Sequence, residues 1–269
     1  MWKGIGLMWD FARHGSRIAL LEGPNALTYA QIDEACAAIC APLEARSLVF
    51  VLCSNTLGAV VGYFAFTEYG AVPLLLDCSL DSDLLDQLIQ RYRPSYLWVP
   101  DDMADIANSP SMPGPCHEAV SLLGYTLLAC DGSFACELHP SLAVLVPTSG
   151  TTGASKLVRL SYGNIRANTE SIVEYLGIGP DERAISSLPM NYVYGLSVLH
   201  THIFRGASVA LTDLACYSGA FWKYFNEMGC TSFAGVPFMY EMLDKLRFVQ
   251  HPPTTLLGTM TRAGGRLSP

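Results

Sequence analysis

Continuous apolar runs alternate along the chain with segments whose apolar residues recur at helical spacing. Residues 47–53 are apolar after the first position, which is typical of a strand buried on both faces. Before this run, Ile32, Cys36 and Ile39 follow helical spacing behind a Thr28-x-x-Gln31 capping box. The same criteria predict further strands at 71–76, 95–99, 142–146, 183–188, 207–211 and 231–235, and further helices at 55–67, 81–92, 161–176, 195–205, 217–228 and 237–247.

This alternation predicts the α/β fold class, with layered parallel sheets that are flanked by helices on both faces. A cluster of turn-forming residues (Pro110, Pro113, Gly114 and Pro115) interrupts it and marks residues 101–115 as the best candidate for a linker. We therefore expect two sub-domains, a first one with its linker at 1–115 and a second one at 116–269.

Composition narrows the class of protein. Of the 269 residues, 51% are hydrophobic and 15% are charged, whereas an ordinary soluble domain is about 25% charged. This difference favours a compact, heavily buried body. The formal net charge of −8 is opposite in sign to the basic surface that nucleic-acid binding requires, so no nucleic-acid partner is expected.

The nine cysteines are odd in number, form no Cys-x-x-Cys pair and lie mostly in apolar surroundings. They predict buried thiols in a reducing compartment rather than disulfides. The first ten residues lack the pattern of a secretory signal, and the longest apolar run, at 57–66, is too short to span a bilayer. A cytoplasmic protein without a membrane span is expected.

His200 and His202 are separated by one residue, a spacing that would place two metal ligands on one face of a strand. Zinc sites in proteins use at least three protein ligands, and the sequence suggests no third one. We therefore predict no metal-ligating residue in this chain.

The segment after the strand at 142–146 carries the clearest candidate chemistry. It reads Thr-Ser-Gly-Thr-Thr-Gly at 148–153, with a lysine three positions later. Glycines allow the backbone to approach a ligand closely, successive N–H groups form an anion-binding concavity, and the hydroxyls and the lysine add donors. These features predict a polyphosphate-binding loop that consists of Thr148, Ser149, Gly150, Thr151, Thr152, Gly153 and Lys156.

An ordinary Walker loop, G-x-x-x-x-G-K-[ST], does not fit this segment. In the frame that begins at Gly150, Ser155 replaces the required glycine, and Leu157 replaces the hydroxyl that would bind magnesium. A kinase that transfers the terminal phosphate is therefore a weak alternative.

The loop resembles that of the adenylate-forming superfamily, which comprises acyl-CoA synthetases, aryl-CoA ligases, luciferases and the adenylation domains of peptide synthetases. The family segment reads T-S-G-T-T-G-x-P-K-G, and here Ser155 and Leu157 replace the proline and the last glycine. Further segments resemble family signatures and occur in family order, at 27–33, 68–77, 187–196, 235–237 and 263–268. The resemblance covers nearly the whole chain.

The resemblance implies the fold of the large N-terminal domain of acyl-CoA synthetases, incomplete at its C-terminus. The chain ends at Pro269, directly after the segment 263–268 that contains the glycine pair. In the family, the remainder of the chain would supply a glutamate that holds Mg²⁺, a ribose-binding aspartate, a hinge and a small C-terminal domain with a catalytic lysine. We therefore expect the N-terminal portion of a ligase, with the remainder of its own chain as a partner and with the C-terminal domain absent here.

The resemblance also implies a reaction. ATP and a carboxylic acid form an acyl-adenylate, and the acyl group then passes to the thiol of CoA or of an acyl carrier protein. Residues 148–153 and Lys156 would hold the β- and γ-phosphates, with Lys156 counted as catalytic. The cofactors implied are ATP and Mg²⁺.

The other site residues follow from the same family segments. Tyr192 would lie beside the acyl carboxylate and the α-phosphate as a catalytic residue, with Tyr194 and Gly195 in the substrate pocket; a packed core tyrosine is the alternative. The turn after 262 would line the adenine and acyl pocket, and the segment after Gly235 would wall the acyl pocket, where core packing is an equal alternative. These residues are Gly264, Gly265 and Arg266 in the turn, and Val236, Pro237 and Phe238 in the wall.

Two further alternatives remain open. An amino-acid adenylation domain needs an acidic residue to pair the substrate ammonium, and none occurs between Pro189 and His202, which favours a simple carboxylic acid as substrate. The isolated chain, without the hinge and the C-terminal lysine that the resemblance implies, is expected to be inactive, as a nucleotide-binding fragment that has no turnover.

Overall fold

The computed structural model describes residues 8–132, 137–147, 156–246, 248 and 258–265. The chain divides into two compact units. The first unit comprises residues 1–13 and 30–167, and the second unit comprises residues 14–29 and 168–269. The division between residues 167 and 168 falls inside the helix Tyr162–Leu176.

The described residues form seven α-helices and thirteen strands. The helices are α1 (Tyr29–Cys40), α2 (Leu57–Glu68), α3 (Ser82–Tyr92), α4 (Tyr162–Leu176), α5 (Val193–Phe204), α6 (Gly219–Glu227) and α7 (Pro237–Lys245). The strands are β1 (Ile18–Glu22), β2 (Asn25–Thr28), β3 (Leu48–Cys53), β4 (Val72–Asp77), β5 (Tyr96–Pro100), β6 (Cys116–Leu122), β7 (Tyr125–Cys130), β8 (Leu142–Pro147), β9 (Leu157–Ser161), β10 (Arg183–Ile185), β11 (Ser208–Ala210), β12 (Ser232–Gly235) and β13 (Thr259–Arg262).

The first unit contains a sheet whose described strands follow the order β6-β7-β5-β3-β4-β8-β9. Its centre is parallel, because β3 pairs with β4 and β5 in parallel and β4 pairs with β8 in parallel. Its edges are antiparallel, through the pairs β5–β7, β6–β7 and β8–β9. The apolar run of β3 is buried from its second residue onward, as a central strand covered on both faces must be.

Helix α2 packs on this sheet without a polar face, since every residue from Leu57 to Thr67 is buried. The helix approaches Trp98 on β5 closely: the indole Nε1 donates to the Gly58 carbonyl at 2.9 Å. A Cβ atom on Gly62 would overlap the same indole ring. Glycine at 62 is therefore required for the helix to lie this close to the strand.

The second unit contains a sheet with the described strand order β13-β12-β10-β11-β1-β2. All its pairs are parallel except the β1–β2 hairpin. In the pair β12–β13, Ser232 lies opposite Thr259 and Gly235 lies opposite Arg262. This register puts the carboxyl ends of the two strands at one edge, so the segments that follow Gly235 and Arg262 leave the sheet side by side.

The mixed α/β class with two sheets and flanking helices is confirmed, but the layout differs from the expectation in two respects. The antiparallel strands β2, β6, β7 and β9 were not expected from the alternation of strands and helices. Residues 101–115 are not a linker, because a 3₁₀ helix at Asp101–Asn108 contributes Met103, Ile106 and Ala107 to the core of the first unit.

The boundary expected at 115/116 is consequently displaced. Strands β6 to β9 hydrogen-bond into the first sheet, so the first unit extends to residue 167 and includes both strands beside the predicted phosphate loop. The strands on either side of the loop, β8 and β9, thus belong to the first unit, whereas the loop was expected in the second sub-domain. Among the described helices, none is long and apolar enough to cross a membrane.

Candidate active site

An antiparallel hairpin forms the base of the predicted phosphate loop. Strand β8 ends at Pro147 and β9 begins at Leu157, and these two residues are Cα partners in the ladder. Lys156 immediately precedes β9 and is exposed. The predicted binding residues Thr148, Ser149, Gly150, Thr151, Thr152 and Gly153 lie outside the described residues.

Helix α4 starts directly after this hairpin with a reciprocal cap. The Ser161 N–H donates to Asn164 Oδ1 at 3.0 Å, and the Asn164 N–H donates to Ser161 Oγ at 3.0 Å. Each side chain thus satisfies a backbone donor that the first helical turn leaves open. The cap fixes the point at which the chain turns from β9 into the helix.

At the carboxyl edge of the second sheet, the structure brings together several residues that the sequence predicted for one site. Gly264 has a φ of 87°, and a Cβ placed on it would lie 3.3 Å from the Tyr192 hydroxyl and 3.6 Å from Val236 Cγ1. A Cβ on Gly265 would lie 3.2 Å from Pro237 Cγ. The two glycines therefore allow the turn after β13 to approach Tyr192 and the start of α7.

The predicted Gly195 serves a close approach of a different kind. A Cβ at this position would overlap the backbone carbonyls of Leu188 and Pro189. Its absence lets the first turn of α5 pack directly on the segment after β10, which orients Tyr192 and Tyr194 at the helix start. Phe238 is 60% exposed, and Arg266 lies outside the described residues.

Tyr194 joins α5 to the edge strand β13. Its hydroxyl lies 2.8 Å from Thr261 Oγ1, and the Tyr240 hydroxyl donates to the Thr261 carbonyl at 2.6 Å. Burial raises the pKa of Tyr194 and of Tyr240 above the ordinary tyrosine value. Both hydroxyls therefore remain protonated at neutral pH and act as neutral hydrogen-bonding groups.

A cavity of about 530 Å³ lies within the second unit. Its wall is formed by the C-terminal half of α4, one face of α5, and the strands β10, β12 and β13. Of the residues predicted for the site, Tyr192, Tyr194 and Gly264 line it, whereas Gly195, Val236, Pro237, Phe238 and Gly265 do not. Most of the remaining wall is apolar, including Ile172, Leu176, Ile178 and Phe233.

The family model described as AMP-binding enzyme matches residues 7–268. The chain belongs to the AMP-binding enzyme family. An acyl-CoA synthetase from Alternaria alternata is 25% identical over 261 residues, which cover 82% of this chain and 46% of that protein. This AMP-binding enzyme chain spans about half the length of the curated relatives it matches.

Two solved structures share the fold. The o-succinylbenzoate CoA synthetase from Bacillus subtilis, in complex with its acyl-adenylate intermediate, has a TM-score of 0.75 at 19% identity, over 98% of this chain and 69% of that chain. ATP-bound MatB from Rhodopseudomonas palustris has a TM-score of 0.72 at 21% identity, over 96% of this chain and 55% of that chain. Enzymes of the AMP-binding family use ATP.

The two histidines of this AMP-binding enzyme lie on helix α5 rather than on a strand, and both are buried. Burial lowers the pKa of His200 to about 3 and also lowers the pKa of His202. His202 lines the cavity, where its Nε2 atom lies 3.3 Å from Ser232 Oγ and its Nδ1 atom lies 2.9 Å from the Val198 carbonyl. Among the described residues, no three His, Cys, Asp or Glu side chains are grouped to hold a metal ion.

Sequence reasoning did not identify several residues of the cavity wall, namely Ser197, Thr201, His202, Ser232, Thr261 and Arg262. Part of this wall could have been found from the sequence. Tyr194, Ser197 and Thr201 recur at helical spacing and therefore share one face of α5. The contact between His202 and Ser232 joins positions 30 residues apart and has no local signal.

Proposed function

We propose that this chain is part of an ATP-dependent, AMP-forming ligase that activates a carboxylic acid and transfers its acyl group to a thiol. The observation that carries the proposal is the arrangement of Tyr192 and Gly264 at one end of a largely apolar cavity. This arrangement provides a place for an apolar acid whose carboxylate points to the carboxyl edge of the sheet, where ligands of open α/β sheets bind.

The first step joins the acid to ATP. A carboxylate oxygen attacks the α-phosphorus, the bond between the α-phosphorus and the bridging oxygen breaks, and pyrophosphate leaves with the electron pair. The protein contributes mainly position and charge stabilisation to such a transfer. In this proposal, Lys156 and residues 148–153 hold the departing phosphates.

Tyr192 and the glycine pair act at the acid and at the nucleotide. The Tyr192 hydroxyl can donate a hydrogen bond to the acid or to the α-phosphate, while its ring forms a wall of the cavity. Gly264 and Gly265 leave space for the adenylate at the turn after β13, with Arg266 beside them. Arg262, which lines the cavity at the end of β13, adds a positive charge at the edge where the anions meet.

The second step transfers the acyl group. The acceptor thiolate attacks the acyl carbon, a C–S bond forms, the C–O bond of the mixed anhydride breaks, and AMP leaves. We propose CoA or the pantetheine of an acyl carrier protein as the acceptor, and residues outside this chain as part of the machinery of this step. The family resemblance places the glutamate ligand of Mg²⁺ outside this chain.

The proposed substrate class is an aliphatic or aryl acid, as expected in fatty acid metabolism and related acid activation, and the proposed compartment is the cytoplasm. The largely apolar wall supports the substrate class. None of the eight described cysteines forms a disulfide, which supports a reducing compartment.

Isotope exchange between pyrophosphate and ATP, measured with a panel of carboxylic acids on the full-length ligase to which this chain is proposed to belong, tests the proposal. We expect exchange that depends on the acid, and tight binding of an acyl sulfamoyl-adenosine, which is a stable mimic of the acyl-adenylate. Binding of the mimic without exchange would instead identify a nucleotide-binding fragment without turnover. Exchange with α-amino acids alone would identify an amino-acid adenylation domain, and neither exchange nor binding would overturn the proposal.

A further inference from the structure

The cavity extends along helix α5 from Tyr192 toward His202. These residues are ten positions apart, which corresponds to roughly 15 Å of helix. Strand β12, which also lines the cavity, begins at Ser232 and ends at Gly235. The two ends of this strand are roughly 10 Å apart. Tyr192 and Gly264 thus mark the carboxyl end of the cavity, and His202 and Ser232 mark its far end.

The hydrogen bonds at the far end determine which groups remain open to a ligand. The Val198 carbonyl can only accept, so His202 Nδ1 at 2.9 Å carries the hydrogen and donates it. In the neutral ring, Nε2 is then an acceptor, and the Ser232 hydroxyl at 3.3 Å donates to it. The hydrogen of Ser232 is used, and the lone pairs of its oxygen remain as acceptors at the cavity wall.

Two neighbouring polar side chains at this end, Thr201 and Glu182, offer acceptors as well, while Thr259, the partner of Ser232 in the ladder, has a hydroxyl that can donate or accept. The Thr201 hydroxyl donates to the Ser197 carbonyl of its own helix at 2.9 Å, and its oxygen, which lies 3.3 Å from His202 Nδ1, can act as an acceptor. Glu182, which precedes β10 and lines the cavity, carries a carboxylate, whose Oε1 atom accepts from the Gly179 N–H at 3.0 Å. Because this end of the cavity offers acceptors and a negative charge, it should bind a neutral hydrogen-bond donor of a ligand better than a second anionic group.

We propose that Ser232, oriented by His202, is a specificity-determining residue that accepts a hydrogen bond from a hydroxyl group at the distal end of the acid substrate. The preferred substrates are therefore acids with an apolar middle and a distal hydroxyl. This inference rests on the proposed function, because it assumes that the carboxylate lies at the Tyr192 end.

Calorimetric binding of matched acids to the full chain tests the inference. The probes are the straight-chain acids from hexanoic to decanoic acid, each compared with its ω-hydroxy derivative and with the acid one methylene longer, which replaces the hydroxyl by a methyl group. In the wild-type chain, the best-fitting hydroxy acid should bind about tenfold more tightly than its methyl counterpart, the ratio expected for one satisfied hydrogen bond at a buried site.

The Ser232→Ala variant should lose this preference while it still binds the unsubstituted acids. Ser208→Ala is the matched control, because Ser208 is equally buried on β11 of the same sheet, bonded by Arg183 Nε and outside the cavity wall. This variant should keep the wild-type preference. The comparison of acids in the wild-type chain stands even if Ser232→Ala fails to fold.

The outcomes separate the two proposals. Binding of the acids without preference for the hydroxy derivatives, or tighter binding of the corresponding dicarboxylic acids, would overturn the inference alone and leave the ligase proposal intact. A preference that Ser232→Ala retains would also overturn it. The absence of binding by any acid in the series would overturn the inference together with the proposed function.

Discussion

The hydroxyl of Tyr194 on helix α5 lies 2.8 Å from Oγ1 of Thr261 on the edge strand β13. Both residues line the cavity, and the contact joins the helix that carries Tyr192 to the strand that leads into Gly264. The position of the two sides of the candidate active site therefore depends in part on one hydrogen bond between neutral side chains.

Removal of that hydrogen bond should lower both the stability of the fold and the affinity of the site. Tyr194→Phe should lower the free energy of unfolding by about 1 kcal/mol, the usual net contribution of such a bond, and should weaken binding of the acyl-adenylate mimic. Urea unfolding and calorimetry measure the two effects. Tyr217→Phe, at a tyrosine that is 54% exposed, is the control, and an equal loss in both variants would contradict the assigned role of the contact.

Tyr192 should matter for binding more than for stability. It is 39% exposed, so Tyr192→Ala should change the free energy of unfolding by about 1 kcal/mol or less, while the affinity for the acyl-adenylate mimic falls at least about tenfold, equivalent to about 1.4 kcal/mol. Thermal unfolding and calorimetry distinguish these effects. A collapse of thermal stability with unchanged affinity would show that Tyr192 is a packing residue.

Gly264→Ala combines backbone strain with an intrusion into the site. Its φ of 87° is unfavourable for alanine, by about 1–2 kcal/mol, and the new Cβ would contact the Tyr192 hydroxyl. We expect a loss of stability and of affinity for the acyl-adenylate mimic. Gly124→Ala separates the two causes, because Gly124 has a φ of 77° and no atom within 4 Å of its Cβ position; it should lower stability and leave affinity unchanged.

Lys156→Ala should act on the nucleotide and not on the acid. The side chain is exposed, so the stability should change by about 0.5 kcal/mol or less, while the affinity for ATP should fall by about tenfold through the loss of a charged donor to phosphate. Lys245→Ala, at an exposed lysine of α7, is the control. Unchanged binding of ATP together with weaker binding of the acid would contradict the assignment.

The free energy of unfolding should decrease as the pH falls below about 6.5. Burial lowers the pKa of His200 from 6.5 to about 3 in the folded chain, so between these values the unfolded state binds more protons, which favours unfolding. Urea unfolding between pH 7.5 and pH 5 (roughly one unit above and 1.5 units below the ordinary histidine pKa) should show this slope. The slope should be smaller in His200→Gln, and an equal slope would rule out His200 as its source.

Much of the fold was predictable because its central strands and helices have local signals. The apolar run of β3 and the periodic spacing of α1 indicate burial directly, and the structure confirms both. The edge strands β6 and β9 carry alternating or mostly exposed residues, so no apolar run distinguishes them from loops. Their membership of the first sheet is set by pairing with β7 and β8, which sequence periodicity does not reveal.

The candidate active site was predictable where glycine and aromatic residues occur in recognisable segments. The approach of Gly264 to Tyr192 connects two such segments. The far end of the cavity was not predictable, because Ser232 and His202 are ordinary residues of a buried strand and helix, and their chemistry depends on a contact across the fold.

The pairing of Pro147 with Leu157 at the base of the glycine-rich segment limits how far that segment can reach. Nine residues, 148–156, leave and return to adjacent positions on one sheet edge, and a chain of that length extends at most roughly 15 Å out and back. A phosphate bound by the backbone N–H groups of this segment must therefore lie close to that radius of the hairpin, and one bound by Lys156 can lie farther by the length of its side chain. An insertion or deletion between the paired residues would therefore change the reach of the segment, even where every glycine, threonine and lysine is retained.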